Sequence, residues 1–262
     1  MDRIEAEHTL GGIVDKDGIV VRWPKKAAEK EAVLWYLQSK FEPGRRYSER
    51  EVNELLKRWH AFGDHALLRR ELFDHFYLNR TADCTQYWRE VPMAYRHATE
   101  ADVQRLCDIV PEAISEMERH GIFQWDEQYP TREDIARDET DGSLFVGTSD
   151  GEIAVFYTLN QETDAAYDAA NWQYRGSAYC VIHRLCVSPR FQQKKIAQQT
   201  LLHIEQELRA QGIRAIRLDV FCQNPFALRL YRHAGYRETG TATWRKGQFL
   251  LMEKLLEEEA PR

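Results

Sequence analysis

No stretch of the 262 residues is apolar over the ~18 positions that a membrane-spanning helix needs. The first seven residues, Met1 to Glu7, are acidic and hold no apolar run of the kind a secretory signal carries, so none is expected there. Cysteine is sparse: Cys84, Cys107, Cys180, Cys186 and Cys222 are odd in number and never form a CxxC pair. That argues against a disulfide framework or a zinc ribbon, and fits small apolar fillers in a reduced, cytoplasmic protein that holds no metal. There is no internal repeat or low-complexity tract, and no broad excess of positive charge. Residues 1–92 hold 16 Lys+Arg against 16 Asp+Glu, and the remainder 20 against 26, giving a net charge of −6. A nucleic-acid surface built on phosphate neutralisation is therefore not indicated in either part.

What is present divides near Arg89-Glu90-Val91-Pro92-Met93, where a proline interrupts a strand-like segment and the pattern changes. The expected domains are 1–92 and 93–262. In the first, a helix near Ala27–Lys40 is stopped by Glu42-Pro43-Gly44. Ser48-Glu49-Arg50-Glu51 is a capping box, and Val52, Leu55, Leu56 and Trp59 follow at helical spacing. A second short helix starts at Gly63-Asp64 and carries Leu67, Leu68 and Leu72. Phe76–Arg80 and Tyr87–Arg89 read as a hairpin around a polar turn. Helix, turn, helix, hairpin is the order of a winged helix.

The second part alternates strand and helix. A short strand at Tyr95–Ala98 precedes two helix-start signatures, Thr99-Glu100-Ala101-Asp102 and Thr131-Arg132-Glu133-Asp134. Phe145–Thr148 and Ile153–Leu159 flank Ser149-Asp150-Gly151, a hairpin signal. After a polar loop come a central strand at Ala178–Val187, a helix from about Lys194 to Ala210, a strand at Ala215–Phe221 and a short helix at Pro225–Ala234. Two last strands, near Tyr236–Thr243 and Phe249–Leu255, complete an α/β sheet of six or seven strands.

Two stretches carry the chemistry. In Val181-Ile182-His183-Arg184-Leu185-Cys186-Val187-Ser188-Pro189, followed by Phe191-Gln192-Gln193-Lys194-Lys195-Ile196-Ala197, a strand runs through a turn into a helix. The free N–H groups at such a helix start suit a pyrophosphate. Ile196, Thr200, Ile204 and Leu208 are spaced by fours, as a face packed on a sheet. The second stretch is Asn224-Pro225-Phe226-Ala227-Leu228-Arg229-Leu230-Tyr231-Arg232-His233-Ala234-Gly235-Tyr236, a helix with Asn224 as N-cap and Pro225 in its first turn.

In this order, one helix and one strand apart, the two stretches resemble the GNAT superfamily of N-acetyltransferases, over about Ala94 to Leu256. The nearest look is to bacterial members with Gln124-Trp125, Tyr129-Pro130 and Ile182-His183-Arg184-Leu185. The resemblance implies a mixed, mostly antiparallel sheet with flanking helices, and transfer of an acyl group from acetyl-CoA directly to an amine, either a small molecule or a peptide. It implies that the main chain at Leu185, Cys186 and Val187 holds the pantetheine arm. It further implies that Gln192, Gln193, Lys194, Lys195, Ile196 and Ala197 hold the pyrophosphate and that Asn224 contacts the arm. Tyr231 is then the proton donor to the leaving sulfur, and no covalent role falls to Cys186. Candidates for the base are His183, Glu127, Asp126, Asp219 and Glu253, with His183 favoured because it titrates near neutrality. Trp125, Glu127 and Tyr129 are expected to line the acceptor pocket, with Tyr167 and Trp172 nearby. The acidic balance of this part suits a cationic amine.

One departure stands out. Gln193 and Lys195 occupy positions where the family has glycine. The expectation is that Lys195 stays right-handed, that the helix begins there, and that Lys194 and Lys195 offset the lost fit with charge. The first part resembles a small bacterial domain of unknown function over about Lys26 to Arg89, which is seen fused to regulators and to acetyltransferases. Rival readings are a non-catalytic acyl-CoA sensor and a regulator that contacts DNA through Arg69, Arg70 and the Arg80–Arg89 hairpin.

Overall fold

Local capping chemistry sets the helix starts of the first unit. In the computed structural model, which describes residues 9–81, 83–89, 93–149, 151–192 and 194–256, the Ser48 N–H donates to Glu51 Oε2 at 2.7 Å and the Glu51 N–H donates to Ser48 Oγ at 3.3 Å. Asp64 Oδ1 accepts from the Leu67 N–H at 2.9 Å. These caps open α2 (Glu49–Trp59) and α3 (His65–Asp74), which follow α1 (Ala27–Gln38) and a two-residue strand, β1 (Arg46–Tyr47). β2 (Leu78–Arg80) and β3 (Tyr87–Arg89) form the hairpin, and β1 joins it to give a three-stranded antiparallel sheet ordered β1-β3-β2. The element order is the one expected of a winged helix. β1 was not foreseen, because two residues carry no alternation to read. Val33, Leu34 and Leu37 of α1, Val52 and Leu56 of α2, and Leu68 and Leu72 of α3 bury themselves around Tyr47, Leu78 and Tyr87. The chain divides into two compact units, Met1–Pro92 and Met93–Arg262, and the expected boundary residues Glu90, Val91 and Pro92 lie outside the described residues.

The second unit is a seven-stranded sheet with helices on both faces. Its elements are β4 (Ala94–His97), α4 (Glu100–Arg119), α5 (Arg132–Thr140), β5 (Leu144–Ser149), β6 (Glu152–Asn160), β7 (Tyr179–Val187), α6 (Ile196–Ala210), β8 (Ala215–Phe221), α7 (Pro225–His233), β9 (Arg237–Trp244) and β10 (Gly247–Leu255). The strand order is β4-β5-β6-β7-β8-β10-β9. Every neighbouring pair is antiparallel except β7 and β8, which are parallel. Parallel neighbours need a crossover, and α6 supplies it. Thr131 and Asp134 cap α5 reciprocally, and the Thr99 N–H donates to Asp102 Oδ2 at 2.8 Å at the start of α4.

Ile196, Thr200, Ile204 and Leu208 are buried, as their spacing requires, and with α7 they cover one sheet face around Ile182, Leu218 and Val220. α4 and α5 cover the other through Leu106, Ile109, Ile135, Val146 and Phe156. The β6–β7 loop, with a single 3₁₀ turn at Ala165–Ala169, lays Tyr167 and Trp172 over Val181 and Leu251. Among the described residues no helix is long and apolar enough to cross a membrane.

Candidate functional site

The parallel pair comes apart partway along. β7 and β8 are in register from Tyr179–Ala215 to Ile182–Leu218 and no further. β7 stays bonded to β6 as far as Val187, and β8 to β10 as far as Phe221. From His183 and Asp219 onward the two strands diverge, leaving the main chain of Leu185, Cys186 and Val187 without a ladder partner on the β8 side. The fork opens into a cavity of about 1040 Å³. The Cys186 side chain itself is buried against the α4–α5 face, and burial pushes its thiol up to about 12. A thiol that burial keeps neutral is no nucleophile.

At one end of the cavity stands the start of α6. Here the structure corrects the sequence reading. Lys195 is left-handed, with φ 60° and ψ 13°, and acts as the N-cap of a helix that begins at Ile196. The chain keeps the turn that a glycine would make and accepts a torsional cost of ~1–2 kcal/mol. No side chain caps α6, so its first-turn N–H groups, at Ile196, Ala197 and Gln198, lack helical acceptors. Those three residues line the cavity together with Gln192 and Lys195. Lys194 is not part of the wall; its ammonium sits 4.9 Å from the centroid of the Phe191 ring. Gln193 lies outside the described residues.

α7 forms another wall. Asn224 Oδ1 accepts from the Ala227 N–H at 3.0 Å, while its Nδ2 donates to Gln124 Oε1 at 3.1 Å. The cap therefore also ties α7 to the segment after α4. Tyr231 is 7% exposed, and its hydroxyl has no hydrogen-bond partner among the described residues. Burial, reinforced by the nearby Asp219 carboxylate, raises its pKa well above 10, so it carries its proton at neutral pH.

Opposite lies a polar and aromatic recess. Trp125 is buried in its wall, and Tyr129 Oη accepts from Arg184 Nη1 at 2.8 Å. The other Arg184 nitrogen, Nη2, pairs with Asp138 of α5, whose Oδ2 also accepts from Thr158 Oγ1 at 2.7 Å. Asp219 faces the same recess and accepts from Tyr167 Oη at 2.9 Å. Its carboxyl pKa lies above the ordinary value because enclosure outweighs the Tyr167 hydrogen bond and the Arg184 charge.

Other candidates fare differently. His183 lines the cavity, and its Nε2 has no partner. Burial, and then the adjacent Arg184 charge, push its pKa down to about 4. That removes the reason for favouring it, which was titration near neutrality. Glu127 is exposed and lines a separate, smaller depression with Cys107, Pro111 and Arg132, not the recess. Asp126 is held by Arg245, at 2.7 Å to each carboxylate oxygen, and by Lys246 at 3.0 Å. Glu253 is consumed by Arg217 and by the N–H groups of Gln173 and Tyr174. Trp172 is buried against Arg217 and takes no part in the cavity wall. Sequence reading missed Asp138 and Gln124 as partners in the site. The signal for Asp138 was present, since Ile135 and Asp138 share the buried face of α5.

Comparison with known proteins bears on the family and the fold. Residues 108–236 match the family model described as the acetyltransferase (GNAT) family. Residues 19–89 match the model described as an uncharacterized protein conserved in bacteria, DUF2087. A GNAT-family acetyltransferase from Streptococcus agalactiae 2603 superposes with a TM-score of 0.57 at 24% identity, covering 63% of this chain and 96% of that one. Another from Listeria monocytogenes 4b F2365 gives 0.52 at 18% identity, with 63% and 95% covered. At these identities the likeness is one of fold. No curated protein gives a match.

Proposed function

From a chain that carries a GNAT acetyltransferase domain, we propose a cytoplasmic, acetyl-CoA-dependent N-acetyltransferase that passes the acyl group directly to a primary amine. The observation that supports this best is the convergence on one cavity of an open β7 edge, an uncapped helix start and the Tyr231 hydroxyl. The residues fit an acyl-CoA. Leu185 to Val187 offer main-chain donors and acceptors to a pantetheine arm, which would lie along them as an added strand. The N–H groups of Ile196, Ala197 and Gln198 sit at the positive end of a 15-residue helix, where a pyrophosphate is favoured. Lys195 adds a positive charge there, and Gln192 a side-chain amide. Lys194 and Gln193 complete that loop in sequence. Asn224, already committed as a cap, keeps its side chain beside the arm through Gln124. The bound thioester supplies the activated acyl carbon.

Tyr231 holds its proton and its hydroxyl has no hydrogen-bond partner among the described residues, so it is free to donate to the sulfur as negative charge develops there. The acceptor's ammonium, pKa ~10.4 for a lysine-type amine, has to lose a proton before attack. Trp125, Tyr129 and Tyr167 shape the recess in which this happens. The test is coenzyme A release, read with a thiol reagent, from acetyl-CoA and a panel of amines, amino acids and peptides. Release above the rate without an amine is expected. Its absence with every acceptor, in a protein shown to bind coenzyme A, would favour a sensor.

A further inference from the structure

The charged side chains enclosed around the recess are matched, with one exception. Arg184 is paired with Asp138, and Arg217 with Glu253. Asp219 has no cation at ion-pair distance among the described residues; its hydrogen-bond donors, the Tyr167 hydroxyl and its own backbone N–H, are both neutral. The groups facing it come from every surrounding element. Tyr167 and Asp164 belong to the β6–β7 loop, Tyr129 to the segment before α5, Arg184 to β7 and Tyr231 to α7. Leu251 stands opposite on β10. Three tyrosines thus surround one carboxylate in the cavity wall. Asp219 also occupies the first position at which β8 has left β7. It is thereby level with the fork, beside the thioester position that the proposed function assigns.

We propose that Asp219 seats the acceptor's ammonium and takes its proton, and that the acceptor is a primary amine with one positive charge and an apolar body. This rests on the acetyltransferase reading above. A cation is what the recess lacks, since Asp138 already neutralises Arg184 and leaves Asp219 in excess. An enclosed unpaired carboxylate is unfavourable until such a cation arrives. The apolar body follows from what continues the wall. Ile122, Phe249 and Trp244 line the cavity there, packed on Phe221, which lies two residues along β8 on the face of Asp219 and is itself buried. Beyond them the rim is basic, with Arg245 and Lys246 sharing the single carboxylate of Asp126. A second ammonium on the acceptor would meet that surplus. A carboxylate beside the amine would meet Asp219 and Asp164.

The reaction balances through these groups. Asp219 accepts one proton from the ammonium nitrogen, and the freed lone pair forms the C–N bond to the acyl carbon. The C–S bond breaks with its electron pair left on sulfur, and Tyr231 Oη gives that sulfur a proton. The second nitrogen proton restores Tyr231, and Asp219 releases its proton to solvent. Because the Asp219 carboxyl pKa is raised, the active carboxylate is lost as pH falls through that raised value, which sets the acid limb of the rate profile.

The experiment compares the wild type with Asp219→Asn, using phenethylamine, phenylalanine and spermidine as probes. In the wild type, phenethylamine has the highest kcat/KM of the three. Asp219→Asn binds coenzyme A as the wild type does and melts no lower at pH 7, since it removes a poorly accommodated charge. Its kcat/KM for phenethylamine falls by about 10²-fold or more, the size of a lost proton acceptor, and the acid limb disappears. Phenethylamine alone raises the melting temperature of the wild type but not of the variant. An Asp219→Asn enzyme with unchanged kcat/KM, an unchanged acid limb and an unchanged amine-induced shift would overturn the role of Asp219. Preference for phenylalanine or spermidine would overturn the proposed acceptor class. Failure of the wild type to release coenzyme A with any amine would overturn the underlying acetyltransferase reading.

Discussion

Replacing Lys195 separates two effects that one side chain combines. Its backbone is left-handed at the N-cap of α6, a conformation that costs a residue with a Cβ ~1–2 kcal/mol. Lys195→Gly removes that cost, less ~0.4–1 kcal/mol for the extra freedom glycine gives the unfolded chain. The net gain is about 0.5–1 kcal/mol, or roughly 1–4 °C in Tm for a unit of this size. Lys195→Ala keeps the left-handed strain and should melt below the glycine variant. Both variants lose the ammonium at the cavity wall. If Lys195 makes one charge-assisted contact to a pyrophosphate, worth ~1.5–3 kcal/mol, coenzyme A affinity falls by about 10- to 150-fold in both. Salt should weaken wild-type binding more than binding by either variant. Lys194→Ala should change affinity less, because that ammonium lies over the Phe191 ring and outside the wall. Scanning calorimetry gives the stabilities, and titration calorimetry with coenzyme A at low and high salt gives the affinities. A glycine variant no more stable than the alanine variant would refute the strain argument. Wild-type affinity in both, flat with salt, would refute the charge argument.

Tyr231→Phe should lower kcat by about 10²-fold or more while leaving the coenzyme A Kd near the wild-type value, since the hydroxyl acts only as sulfur leaves; rapid-quench and equilibrium titration together check this. Asp138→Ala strands the Arg184 guanidinium, whose side chain is 8% exposed, and should cost about 3–5 kcal/mol of stability, measured by denaturant unfolding. The fragment spanning Met93–Arg262, a compact unit, should bind coenzyme A as tightly as the whole chain by titration calorimetry; a folded fragment that fails to bind would show that the first unit contributes to the site.

What could be read from the sequence was local. Ser48, Asp64, Thr131 and Asn224 announce helix starts because their side chains bond to N–H groups three residues on. The face Ile196, Thr200, Ile204 and Leu208 was legible because helical period alone defines it. What could not be read depends on distant partners. Arg184 meets Asp138 and Tyr129 across 46 and 55 residues, and no local pattern marks such a meeting. The low proton affinity of His183 follows from burial and from that same guanidinium. Glu127 was grouped with Trp125 and Tyr129 by adjacency. However, Asp126 and Tyr129 pair across a tight turn that directs Glu127 outward to solvent. The left-handed Lys195 escaped because residue preference favours the right-handed form, whereas the crossover from β7 to α6 fixes the turn.

Two positive-φ residues of the second unit carry a common meaning. Among its described residues, Arg184 and Lys195 are the non-glycine residues with positive φ, and both line the cavity at the fork. At Arg184 the cause is a β-bulge: Phe156 pairs with Cys186 and Thr158 with His183, so Arg184 and Leu185 together face Tyr157. The extra residue changes which side chains point where. Ile182 and Leu185 both pack on the α6–α7 face although they are three apart, while Cys186 turns to the α4–α5 face. Regular alternation would put Leu185 on the face where Cys186 now lies. The bulge therefore does two things at the fork. It turns the Arg184 side chain toward Asp138 and Tyr129, and it sets the orientation of the Leu185–Val187 main chain that borders the gap. Strain of ~1–3 kcal/mol at such positions persists only where the surrounding structure enforces it. Here β6 on one side and the Arg184–Asp138 pair on the other do so. The open β7 edge and the aromatic recess are thus built from the same irregular turn of chain, which is why neither follows from strand periodicity.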